Sequence, residues 1–134
     1  MKPMSPELDK QLCEKYPELF RGRNKPMTET LMCWGFECGD GWYDLVDALC
    51  FAITEYCTSY SFKVPEVIQV KEKYGGLRFY LGAVQKECFE AVHSLIDQAE
   101  KQSYKICEVC GKPGEPNIGG WIKTTCEKHK QHYD

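Results

Sequence analysis

At 134 residues, with eight Tyr, six Phe and three Trp, the chain is long enough for one domain with an aromatic core. Its 17 Lys and Arg face 20 Asp and Glu, a net charge of −3 that argues against a protein coating nucleic acid through a general basic surface. No apolar run is long enough to span a bilayer and Met1–Glu7 holds no apolar signal region, so the reading predicts a cytoplasmic chain without a membrane partner.

The elements follow in chain order. Ser5-Pro6-Glu7 reads as an N-cap with proline at the first helical position, and Leu8, Leu12, Cys13 and Tyr16 continue at helical spacing until Pro17. Arg21 to Pro26 is a polar, basic loop. Leu31, Cys33 and Trp34 suggest a short extended segment entering the core between Thr28 and Phe36. Gly39-Asp40-Gly41-Trp42 is turn chemistry, with Asp40 expected to cap the next helix. That helix carries Trp42, Leu45, Val46, Leu49, Ile53 and Tyr56 on one face and should run to about Ser59.

Val67 to Leu81 is the clearest β-hairpin. Gly75-Gly76 fits a two-residue turn of the primed type, pairing Tyr74 with Leu77 and Lys73 with Arg78. Alternation then gives a core face of Val70, Tyr74, Leu77, Phe79 and Leu81, with Glu72 at odds with it. The other face carries Gln69, Lys71, Lys73, Arg78 and Tyr80. A regular helix is expected from Val84 to about Ser103, burying Val84, Cys88, Ala91, Val92, Leu95, Ile96 and Ala99. The order predicts an α+β fold: a small helical domain with a β-hairpin or small antiparallel sheet over residues 1–104, hairpin at 67–81. A C-terminal module, 105–134, packs on it.

That module holds the strongest motif. Cys107-Glu108-Val109-Cys110 and Cys126-Glu127-Lys128-His129 are two ligand pairs separated by fifteen residues, the spacing of a closed tetrahedral zinc site. Gly111 supplies backbone freedom for the first knuckle. Cys126 and His129 are expected in the first turn of a short helix from Thr125 to about His132, a treble-clef-like layout, with His132 as an alternative to His129. Four protein ligands leave no open position, so Zn2+ here is structural. The other six cysteines (Cys13, Cys33, Cys38, Cys50, Cys57 and Cys88) read as reduced, mostly buried small hydrophobes.

Catalytic constellations are missing: there is no nucleophile elbow, phosphate loop or His-Glu-x-x-His, and no histidine is placed for an HNH-type nuclease. The reading is therefore non-enzymatic. Lys71, Lys73 and Arg78 beside Tyr80 suit a small phosphate-bearing, nucleotide-like anion, with Asp40 and Trp42 as a pocket rim. A solvated ribbon face explains the same cations, and Arg21, Arg23 and Lys25 are candidates to join the patch. Two alternatives stand beside it: a nucleic-acid-binding zinc module, and an adaptor that binds and inhibits a host protein. Whether the chain forms a homo-oligomer is left open.

With Cys38-Gly39-Asp40-Gly41-Trp42-Tyr43-Asp44-Leu45, Val70-Lys71-Glu72-Lys73-Tyr74-Gly75-Gly76-Leu77-Arg78-Phe79-Tyr80 and the Cys107 to His129 motif, the chain resembles a family of small uncharacterised tailed-phage and prophage proteins. The likeness spans roughly residues 15 to 130. It implies a phage accessory protein in the host cytoplasm, and by analogy an anti-defence sponge that sequesters a nucleotide-derived immune signal.

Overall fold

The computed structural model describes residues 3–117 and 119–130. The architecture is α+β. Helix α1 spans Pro6–Lys15, and a 3-10 turn at Met32–Trp34 leads into the two-residue strand β1, Phe36–Glu37. A second 3-10 turn, Asp40–Trp42, opens helix α2, Tyr43–Ser59. Strands β2 (Val67–Lys73) and β3 (Gly76–Leu81) form the hairpin, and helix α3, Phe89–Ser103, follows a 3-10 turn at Lys86–Cys88. The C-terminal segment adds β4 (Glu115–Pro116), β5 (Thr124–Thr125) and a 3-10 turn at Glu127–His129. No helix among the described residues is long and apolar enough to cross a membrane.

The main sheet runs β1-β2-β3, with β1 parallel to β2 and β3 antiparallel to it. Phe36, Val70, Leu77 and Phe79 face the core, where they meet Leu45, Val46, Leu49, Cys50 and Ile53 of α2 and Cys88, Val92, Ile96 and Ala99 of α3. Cys38, Cys50, Cys57 and Cys88 are buried free thiols and Cys13 and Cys33 half-buried ones, as expected for reduced cysteines used as packing. Burial, with the nearby Cys88 adding to it, raises the Cys57 thiol to about 11, so this sulfur is not primed as a nucleophile.

Several local expectations change. Between residues 28 and 36 the core is entered by Met32 and Phe36, while Leu31 and Trp34 stay at the surface. Asp40 does not cap α2; its Oδ1 accepts the Ser5 backbone N–H at 2.7 Å and ties the loop to the start of α1. The third helix starts at Phe89, later than Val84, because Gln85 is held extended and its side chain accepts the Lys63 N–H.

The hairpin turn is Tyr74-Gly75, with φ of +54° and +83°, the left-handed pair of a primed turn. Lys73 therefore pairs with Gly76, Glu72 with Leu77 and Lys71 with Arg78. The sequence offers two glycines for one turn, and packing chooses between them. A Cβ on Gly76 would lie 2.4 Å from the Tyr104 hydroxyl, so that glycine is consumed by the approach of α3's end. Partners move by two residues relative to a Gly75-Gly76 turn, and the side-chain period of two keeps every residue on its expected face. Only Tyr74 moves, from the core face to an exposed tip.

A tyrosine at positive φ is strained. Tyr74→Asn is expected to raise unfolding stability by about 0.5–1 kcal/mol, read as a higher denaturant midpoint. With a Gly75-Gly76 turn, Tyr74 would be a strand residue and the same substitution would lower the midpoint.

Candidate metal centre

The knuckle begins where α3 ends. Gly111 adopts φ +83° and its N–H donates to the Cys107 carbonyl at 2.9 Å, closing the turn that brings Cys107 and Cys110 together. The chain then runs out and back through β4 and β5, pairing Glu115 with Thr125 and Pro116 with Thr124. This hairpin returns Cys126, and a single 3-10 turn places His129 beside it, its N–H donating to the Cys126 carbonyl at 3.1 Å. The expected helix from Thr125 shortens to Glu127–His129, since a two-residue gap between ligands needs only one turn. Lys130 is already extended, and the alternative ligand His132 lies outside the described residues.

The four ligand atoms of Cys107, Cys110, Cys126 and His129 lie within 4.8 Å of one another. Sγ of Cys110 is 3.7 Å from Sγ of Cys126, and Sγ of Cys107 is 3.7 Å from Nδ1 of His129. Metal–sulfur bonds of about 2.3 Å and metal–nitrogen bonds of about 2.0–2.1 Å at tetrahedral angles give edges of about 3.6–3.8 Å. Two of the contacts therefore match one tetrahedral ion, while Cys126 Sγ to His129 Nδ1 is closer, at 3.2 Å. The donor set fits a metal: three sulfurs and an imidazole are soft to borderline ligands. Burial pushes the Cys107 thiol up, but the backbone N–H groups of Cys126, Cys110 and Val109 outweigh it and hold it down at about 6. A thiolate is thus favoured where the ion must bind. With all four side chains engaged, no coordination position remains for a substrate.

The module is keyed into the main domain by backbone contact. Gly41 N–H donates to the Glu108 carbonyl at 2.8 Å, and Gly39 N–H to Glu108 Oε2 at 2.9 Å. A Cβ on Gly41 would sit 2.2 Å from the Cys107 carbonyl oxygen, and one on Gly39 2.4 Å from that of Glu108. The indole N–H of Trp42 donates to the Ile106 carbonyl at 2.9 Å. On the hairpin side, Thr124 donates its hydroxyl to the Gly75 carbonyl, and Lys123 pairs with Glu72 at 2.5 Å. That pairing accounts for an acidic residue on the core face of β2. Glu108 itself is 1% exposed, and burial pushes its carboxyl up against the opposing pull of the Gly39 amide and Lys123.

The residues expected to bind an anion are dispersed differently. Trp42 is fully buried, so it forms no pocket rim. Asp40 is exposed and holds the Ser5 amide. Arg78 reaches α3, where its guanidinium lies 3.0 Å from Glu100. Arg23 forks onto Asp9 at 3.0 and 3.2 Å, and Arg21 and Lys25 both pair with Glu66, so the basic loop joins no patch. Lys71 and Lys73 remain on the open sheet face with no ion pair among the described residues, beside Tyr80 at 41% exposure.

The structure adds residues that sequence reasoning passed over. Tyr74 (66% exposed) and Trp121 (72% exposed) line one recess of about 240 Å3 with Glu72, Ile122 and Lys123. Lys73 Nζ stands 5.6 Å from the centre of the Tyr74 ring. The Gly119-Gly120-Trp121 run, with both glycines at positive φ, was the available sign of an exposed aromatic tip. Comparison with known proteins finds no matching family model, no matching curated protein and no matching solved structure.

Gly41→Ala is expected to cost about 1–3 kcal/mol, because the clash is with backbone that cannot rotate away. Asp40→Ala next to it should cost less than about 1 kcal/mol. Thermal unfolding of the metal-loaded protein separates the two. Acid should also release the metal, since every ligand must be deprotonated. The folded chain's preference for a Cys107 thiolate contributes fully above the ordinary thiol value of 9.0 and fades as pH falls towards about 6. Release to a chromophoric chelator should therefore increase as pH falls; release that does not change with pH would contradict it.

Proposed function

We propose that the chain is a non-enzymatic, zinc-stapled protein that binds a small phosphate-bearing, nucleotide-like anion. Zinc is the ion this donor set suits best, with three thiolates, one imidazole and tetrahedral spacing. The observation that carries the ligand reading is the pair Tyr74 and Trp121, two exposed rings on one recess, with Lys73 against the first of them. An exposed ring offers a stacking platform for a base, and lysines beside it supply charge for a phosphate. Lys71, two residues from Lys73 on the same face of β2, adds to the charge around the recess.

Tyr80 shares the open face with these lysines but lies opposite Gln69, away from the recess, and Arg78 is already committed to Glu100. The net charge of −3 favours a compact anion over a long polymer. In a phage protein, the role suggested by the family resemblance, such binding would sequester a nucleotide-derived immune signal. A single-stranded nucleic acid is the second reading, because stacking rings and lysines serve it equally well.

Native mass spectrometry of the purified protein is expected to show one zinc and a nucleotide-sized adduct. In calorimetric titration, Lys71→Ala combined with Lys73→Ala, and separately Trp121→Ala, should weaken nucleotide binding roughly tenfold or more without loss of zinc. Unchanged affinity in both would refute the site. Affinity for an oligonucleotide that falls steeply with salt, with none for mononucleotides, would replace it with the second reading.

A further inference from the structure

Beside the aromatic recess, on the other side of the module's contact with the sheet, lies a groove of about 400 Å3 with a different chemistry. It is lined by Trp34, Glu37, Glu72, Glu108 and Lys123, together with Pro3 and Cys38. Three carboxylates thus share one ammonium.

The hydrogen bonds show which of these groups are already used. Glu72 gives Oε1 to Lys123 at 2.5 Å and Oε2 to the Gly75 N–H at 2.7 Å, so both its oxygens are satisfied. Glu108 gives Oε2 to the Gly39 N–H, but its Oε1 is buried and has no partner. A buried acceptor without a donor is among the costlier local arrangements in a fold, and native structures keep few of them. Glu37 is exposed and accepts only from the Gln69 side-chain amide, at 3.3 Å. Trp34 is 62% exposed, with no aromatic or cationic neighbour against its ring among the described residues.

We infer that this groove is a second binding site, for a small organic cation bearing a primary ammonium or guanidinium group. Such a group donates several N–H bonds from one centre. One would satisfy Glu108 Oε1, another Glu37, and the indole face of Trp34 would meet the positive charge. The surplus of carboxylates excludes an anion. A divalent metal ion fits less well, because Lys123 stands in the same groove and Glu72 is already held by N–H donors rather than free to ligate. An organic cation tolerates both features, since it seeks two acceptors and an aromatic wall instead of a complete oxygen shell. The site does not depend on the anion reading: Glu37 and Trp34 touch only this groove, and Tyr74 and Trp121 only the other.

The test is titration of the zinc-loaded chain with cadaverine and with agmatine, followed by amide and indole NMR shifts. 1,5-Pentanediol serves as the uncharged control. Saturable binding of either cation is expected, shifting the Gly39 amide and the Trp34 indole N–H, with the diol leaving both unmoved. Trp34→Ala should weaken binding about threefold or more, and Glu37→Gln by a similar factor. Glu108→Gln, which keeps an acceptor for Gly39, should weaken it about tenfold or more while zinc is retained. Should Glu108→Gln fail to fold, the two exposed variants decide the matter. The inference is overturned if neither cation saturates, if the diol binds as well, or if affinity is unchanged in both Trp34→Ala and Glu37→Gln.

Discussion

The rest of this structure depends on two stretches of bare backbone pressed together: Gly39 to Gly41 against Cys107 to Glu108. No side chain larger than hydrogen fits at either glycine, since a Cβ there would lie 2.2–2.4 Å from a carbonyl oxygen of the knuckle. In that contact, two amides find their acceptors on Glu108, and Trp42 hands its indole N–H to Ile106. One side of it is the loop that opens α2, the central helix of the core. The other contains the first ligand of the metal centre. Metal binding and main-domain packing are therefore coupled through a few hydrogen bonds that only glycines permit.

This coupling explains how a C-terminal segment with almost no core of its own holds a shape. Between residues 105 and 130, the buried described residues are Cys107, Glu108, Thr124 and Thr125, of which only the cysteine is apolar. Hydrophobic burial cannot stabilise such a segment, so a metal ion and the dock on the main domain must do so. The dock also fixes where the surface groups lie. Thr124 on the Gly75 carbonyl and Lys123 on Glu72 set the aromatic tip beside the hairpin turn, and the same ion pair lines the acidic groove. Both candidate surfaces are consequences of one docking geometry.

Much of this was legible in the sequence, and the remainder was hidden for identifiable reasons. Periodicity placed α1 and α2 nearly to the residue, and ligand spacing named the four residues that converge. The hairpin was read one residue out at its turn, because two adjacent glycines satisfy the same rule and only Tyr104, far along the chain, distinguishes them. The Gly39 to Trp42 motif read as a helix cap and the rim of a pocket. Its partner is Glu108, 69 residues away from Gly39, a contact no local pattern reveals. Charge was misjudged for a similar reason: Arg23 and Arg78 read as free cations until Asp9 and Glu100 are brought to them by the fold. Local signals give elements and ligands; pairings across the chain decide which polar groups remain for function.

Amide hydrogen exchange at Gly39 and Gly41, with and without a chelator, tests the coupling most directly. Both amides lie in the main domain, outside the metal ligands, and both donate to Glu108. Chelation is predicted to remove their protection together with that of the Glu108 amide, while the amides of the hydrogen-bonded pair Lys71 and Arg78 keep theirs. If Gly39 and Gly41 stay protected after the metal has gone, the knuckle docks without its ion and the account is wrong.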